Sequence, residues 1–152
     1  MIAALLSRFF RREEINGNHR CPTYLYRWEL FRRGGFAVYL HHFVGDDWSL
    51  DLHDHPKRFV SVGLAGGYTE TTPGGVREYD APWFRRFPAS HVHRVSLNGR
   101  QGCWTLVVVS AASRPWGFWH DGVWMHWREY VFGKFAHVAD SMATCAGLED
   151  RQ

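Results

Sequence analysis

Two stretches decide how this chain is read. They are Leu52-His53-Asp54-His55-Pro56 and, with its last histidine 38 positions after His55, Pro88-Ala89-Ser90-His91-Val92-His93. Residues two apart on a strand point to the same face. His53 and His55 are therefore expected to present two imidazoles side by side, as metal ligation needs, while Asp54 points away as a turn or barrel-surface residue. His93 opens a later strand, and two inward strands of a small barrel would set it opposite the first pair. His91 shares the parity of His93 and reads as a loop or supporting histidine beside it.

The surroundings are rich in strand signals. Tyr24, Tyr26 and Trp28 alternate with Leu25 and Arg27. Arg33-Gly34-Gly35 makes a turn, and the chain returns over 36–44, which predicts a hairpin. Further strands are predicted over 50–55, 58–64, 68–71, 76–79, 83–87, 92–97, 103–110, 116–119 and 123–132. Turn signals recur between them at the spacing of a sandwich or barrel. Aromatic residues make up 16% of the chain, with 8 Trp and 11 Phe, which favours strands. Before them, residues 1–14 read as a short amphipathic helix ended by Asn16-Gly17-Asn18, with Ile2, Leu5, Leu6 and Phe9 on one face.

With Gly45 ahead of His53-x-His55, Gly66 behind it, and Pro88 five residues before His93, the chain resembles the cupin superfamily. The matched part is roughly residues 45–98. Two positions depart from the motifs: Ser90 replaces the glycine of the second motif, and Leu97 stands where asparagine is expected, with Asn98 one later. The resemblance implies an all-β chain of one domain, a cupin jelly-roll barrel with a short N-terminal helix. On this reading 1–20 form the helix and arm, 23–132 the barrel and 134–152 the tail of a single domain, 1–152.

The metal-binding glutamate of that superfamily belongs near Phe59 or Val60 and is missing. The remaining set His53, His55 and His93 resembles the three-histidine, thiol (cysteine) dioxygenase-like branch, with His91 or Glu70 as candidates for a fourth ligand or for supporting contacts. The resemblance implies one divalent transition metal, Fe(II) first, with Zn, Ni or Mn as alternatives. Three neutral ligands leave such an ion its full double charge and open positions for substrate and O₂. The expected activity is that of a non-haem Fe(II) oxygenase on a small anionic molecule. A metal-dependent isomerase, decarboxylase or lyase, and a non-catalytic ligand-binding cupin, are the competing readings. Cupins are also often homodimers.

For the substrate pocket the sequence offers Tyr68, on the same strand face as Glu70, and the aromatic run near the C-terminus. Strand alternation there puts Trp124, His126, Arg128 and Tyr130 on one face, with Arg128 placed to clamp a carboxylate or phosphate. His41 and His42 face opposite ways, so one of them points inward. Aromatic platforms beside an arginine also suit a base, which keeps a nucleotide among the small-molecule candidates.

Composition excludes several classes. A net charge of +3 without a dense basic block is no nucleic-acid signature. No apolar run approaches the ~20 residues of a membrane span. The opening Met1-Ile2-Ala3-Ala4-Leu5-Leu6 is too short an apolar run for a secretory signal. Cys21, Cys103 and Cys145 are odd in number and far apart, so free thiols and a cytoplasmic protein are expected. There is no His-x-Asp or His-x-Glu for a two-histidine–carboxylate iron triad, no His-Glu-x-x-His, no Gly-x-Ser-x-Gly and no phosphate-binding glycine loop.

Overall fold

The computed structural model describes residues 2–17 and 21–145. Asn18 of the predicted helix-ending turn and residues 146–152 of the tail lie outside them. Helix α1 (Ile2–Phe9) is followed by strands β1 (Arg11–Ile15), β2 (Leu25–Arg33), β3 (Phe36–Phe43), β4 (Leu52–His53), β5 (Phe59–Thr72), β6 (Gly75–Asp80), β7 (Trp83–Phe87), β8 (Arg94–Ser96), β9 (Cys103–Val109), β10 (Gly117–His120) and β11 (Val123–His126). Helices α2 (Trp127–Val131) and α3 (Ala136–Ser141) close the series.

One antiparallel sheet runs β1-β2-β3-β9-β5-β6, with β7 and β8 also paired to β5. A smaller sheet runs β11-β10-β4. The two sheets form the walls of a barrel. The predicted hairpin is present: β2 and β3 are joined at Gly34 and Gly35, whose φ of 57° and 83° place both in the left-handed region.

The two strands expected over 58–64 and 68–71 are one 14-residue strand, β5. It bends at a register shift between Gly63 and Ala65. This bend lets β5 pair β7 with its first half and β6 and β8 with its second. Gly66 carries a φ of +70° there, and a Cβ on it would lie 2.0 Å from the Gly102 carbonyl oxygen.

Three sequence expectations are corrected at the ends of the chain. The N-terminal helix stops at Phe9, and Arg11–Ile15 extend the large sheet instead. The strand expected over 123–132 ends at His126. There the His126 side chain accepts from the Arg128 N–H and caps α2, so alternation fails beyond it. The thiols of Cys21 and Cys145 form a disulfide across a separation of 124 residues, with Cα atoms 5.6 Å apart; only Cys103 is free, and it is buried. Spacing could not show that pairing, because the fold alone brings the two ends together.

The core has two parts. Trp48, Phe118, Met125 and Tyr130 pack with Ala139 and the disulfide beneath α2 and α3. Tyr68, Val95, Leu97 and Cys103 form the other, inside the bend of β5. The C-terminal segment is tied to the loop after β3 by backbone bonds from Leu50 N–H to Met142 O (2.7 Å) and from Thr144 N–H to Trp48 O (2.6 Å). None of the helices among the described residues is long and apolar enough to cross a membrane.

Candidate metal centre

The two histidine stretches are zipped together by their backbones. His53 N–H donates to His93 O and His93 N–H to His53 O, each at 2.9 Å, and His55 N–H donates to Ala89 O at 3.1 Å. This antiparallel bridge fixes three imidazoles on one wall. Their ligand nitrogens lie within 4.8 Å of one another. His55 Nε2 and His93 Nε2 are 2.9 Å apart. Metal–nitrogen bonds of ~2.0–2.1 Å, met at tetrahedral or right angles, put two such nitrogens about 3 Å apart. The spacing fits a single ion.

Protonation suits the same role. Burial pulls the His53 imidazole down to about 4, against the opposing charge of Asp47. Burial, then the neighbouring charges of His93 and His53, holds His55 well below the usual histidine range. Neutral imidazole is the form that ligates.

Glu70 sets the orientation of His93 from behind. It is 2% exposed. Its Oε1 is 2.7 Å from His93 Nδ1 and 2.9 Å from His91 Nε2, and its Oε2 accepts from Arg85 at 2.6 Å. Burial alone would raise this carboxyl, but the hydrogen bonds from His91, His93 and Arg85 win and hold it far below the usual carboxylate range. An ionised carboxylate can only accept, so His93 carries its proton on Nδ1 and aims a lone pair from Nε2 at the cluster. Glu70, His91 and His93 also have ligand atoms within 4.8 Å of one another. Arg85 already neutralises Glu70 there, so that grouping is complete without an ion. Glu70 and His91 group with His93 and not with His53 and His55: the Glu70 carboxylate meets Nδ1 of His93, whereas His55 meets Nε2.

Asp54 is corrected from surface to core. It is 1% exposed, accepts from Gly117 N–H (2.8 Å) and Trp124 Nε1 (3.1 Å), and is ion-paired with Arg114 at 2.9 Å. It pins the His-x-His stretch to β10. Asp47 Oδ2 accepts from Val95 N–H at 2.7 Å and lies 3.8 Å from His53 Nδ1.

The three imidazoles open into a cavity of about 440 Å³, within the range of small-molecule sites. Its walls are mainly apolar, with Phe59, Phe87, Trp116 and Phe118 near the histidines. Of the residues expected to line it, Tyr68 does, and its hydroxyl accepts from Arg85 at 3.0 Å. Trp124, His126 and Arg128 do not line it. Trp124 is spent on Asp54, His126 caps α2, and Arg128 is exposed with its guanidinium 5.3 Å from the centre of the Trp127 ring. The chain turns into α2 at that point, so the expected common face does not exist.

The cationic residue lining the cavity is instead Arg27 on β2. The signal was its parity: Arg27 shares a strand face with Leu25, and both line the cavity. Of the paired histidines, His41 is the inward one. His42 stacks outside on Trp104 with ring centroids 4.0 Å apart.

No protein-family model matches this sequence, and no curated protein matches it significantly. Solved structures do resemble its fold. The polyketide cyclase RemF from Streptomyces resistomycificus superposes with a TM-score of 0.61 at 16% identity, over 85% of this chain and 92% of that one. A cupin 2 conserved barrel domain protein from Rhodopseudomonas palustris gives 0.60 at 14% identity, over 74% and 79%. A predicted oxalate decarboxylase from Thermotoga maritima gives 0.55 at 14% identity, over 69% and 96%. At these identities the likeness establishes the fold: the chain folds as a cupin barrel with a short N-terminal helix.

Proposed function

We propose that this cupin barrel is a mononuclear metal-dependent enzyme in which His53, His55 and His93 hold the ion, acting on a small organic anion as a non-haem Fe(II) oxygenase. The observation that carries this reading is the convergence of three imidazoles, that of His93 buried and those of His53 and His55 half-buried, on one point of a mainly apolar cavity, with Glu70 fixing the tautomer of His93. A bound Fe(II) would supply Lewis acidity and the electrons for O₂ chemistry. Three neutral ligands add no negative charge, so the ion keeps its attraction for an anionic substrate.

The chain's own residues do the rest. His93 is kept from rotating by the Glu70 contact, and the backbone bridge to His93 fixes where His53 leaves the main chain. Phe59, Phe87 and Phe118 exclude water from the reacting end of the cavity, which strengthens every charge interaction inside it. Tyr68 keeps its hydroxyl proton: burial raises it well above the ordinary tyrosine value despite the Arg85 charge, so it is a hydrogen-bonding wall and not a base.

The deciding experiment is elemental analysis of untagged protein prepared anaerobically, beside a His53→Ala/His93→Ala variant, followed by oxygen uptake with thiols, amino acids and other small carboxylates. Near-stoichiometric iron that disappears in the variant, with substrate-dependent O₂ consumption, is the expected result. Zinc, nickel or manganese lost in the same way would move the assignment to isomerase, decarboxylase or lyase chemistry. Absence of metal after anaerobic reconstitution would leave a ligand-binding cupin.

A further inference from the structure

The large sheet carries a second polar feature inside the barrel. Arg27 pairs across the sheet with His41, and His41 with Thr105. The three side chains form one row over β2, β3 and β9, and all three line the same cavity as the histidine cluster. Elsewhere the inward face of these strands is apolar, with Leu25, Phe43, Val107 and Val109. A polar row in such a wall needs a reason, because buried polar groups without partners are destabilising.

One member of the row, Thr105, is unsatisfied. Arg27 Nε donates to His41 Nε2 at 3.1 Å, and its guanidinium lies over Tyr39 at 4.9 Å from the ring centre. Its carboxylate partner among the described residues is Glu13, opposite it on β1, an ion pair at 3.8 Å from Nη1 to Oε2 and longer than a hydrogen bond, with about a third of each side chain exposed. His41 is spent as the acceptor that orients the fork. Thr105 is 1% exposed, and its Oγ1 has no hydrogen-bond partner among the described residues. The cavity therefore offers an oriented cationic fork and, one strand beyond His41, a buried wall threonine whose hydroxyl is unused. The carboxylate of Asp47, also in the wall, is engaged by Val95 N–H and faces His53.

We propose that Arg27 and Thr105, with His41 as the residue that orients Arg27, anchor the carboxylate of the substrate, whose apolar body then extends through the cavity toward His53, His55 and His93. The ligand class is a monocarboxylate with an aromatic or aliphatic body that fits about 440 Å³. A guanidinium fork matches the two oxygens of a carboxylate, and the hydroxyl adds a third donor. This deepens the proposed function by naming the end of the substrate that does not react.

The test is calorimetric titration of benzoate, hexanoate and naphthoate, each against its neutral amide. The protein is used both as purified and after chelation of any metal. At least one acid should bind tenfold or more better than its amide in the chelated protein. Arg27→Gln should remove that preference while leaving amide binding in place. Thr105→Val should weaken acid binding severalfold and leave thermal stability unchanged or raised, since it deletes an orphan hydroxyl. A hydroxyl with a merely structural role would give the opposite pair of results.

The proposal is overturned if no acid is preferred over its amide, or if the preference survives Arg27→Gln. It is also overturned if the preference needs the metal but not Arg27, which would place the carboxylate on the ion. Metal content separates the two readings. Arg27→Gln should retain whatever metal the parent holds, whereas failure of the histidine site leaves the Arg27-dependent preference intact.

Discussion

At the residue scale, Glu70 shows how one buried carboxylate sets a ligand. It accepts from two imidazoles and a guanidinium, and each of those would be left poorly paired without its charge. Glu70→Gln keeps the size but supplies one acceptor oxygen and two unwanted N–H donors. Loss of such a supporting contact typically weakens metal affinity by ~10–100-fold, and competition with a chelator of known affinity should read a drop of that order. Acid sensitivity follows from the histidines. His41 is held well below the usual histidine range by burial and then by Arg27, and burial brings His53 to about 4. Each stays neutral in the folded chain while its unfolded counterpart takes up a proton below pH ~6.5. The unfolded state then binds more protons, so stability is complete above pH ~6.5 and falls below it. The slope for each such histidine approaches about 1.4 kcal/mol per pH unit. Denaturant melts of chelated protein between pH 8 and pH 5 should show this decline, and His41→Gln should make it shallower.

At the element scale, the joint between the His-x-His stretch and β10 is Asp54, held by donors from Gly117 and Trp124 and by the ion pair with Arg114. Asp54→Asn should cost about 1–3 kcal/mol in chemical denaturation, because an amide nitrogen must face one of those donors and Arg114 loses its counter-charge. The same variant should lower metal retention, since His53 and His55 flank the joint. This region also marks what the sequence makes legible. Strand alternation and the two histidine motifs were enough to place the β2–β3 hairpin, β6, β7 and β9, and to nominate His53, His55 and His93 as one cluster. They mislead where a local event outside the alternation decides. The cap at His126 starts a helix and removes Trp124, His126 and Arg128 from any common face. Asp54 has the outward parity expected of a surface residue, yet β10 and Arg114 cover it. Arg27 shares the strand parity of Leu25, but nothing local tells that this face is the cavity wall.

At the scale of the whole molecule, the chain is closed on itself by Cys21–Cys145, which ties the segment before β2 to the segment after α3. The bridge lies in the core part formed by Trp48, Phe118, Met125 and Tyr130, and Trp48 and Phe118 also line the cavity. Constraint of so long a loop in the unfolded chain is worth ~2–5 kcal/mol. Reduction, or a Cys21→Ser/Cys145→Ser variant, should therefore lower the unfolding free energy from denaturant melts by that amount while leaving the histidine cluster, which hangs on other strands, able to bind metal. Thiol titration tests the pairing directly. The Cys103 thiol is buried, and burial pushes it up to about 12, so the folded, oxidised chain should show no reactive thiol near pH 8. Denaturation without reductant should expose a single thiol, Cys103, and denaturation after reduction should expose all three cysteines. Three thiols before reduction would mean that Cys21 and Cys145 are not bridged. The stabilisation assigned to the bridge would then have to come from the bonds of Leu50 N–H to Met142 O and of Thr144 N–H to Trp48 O alone.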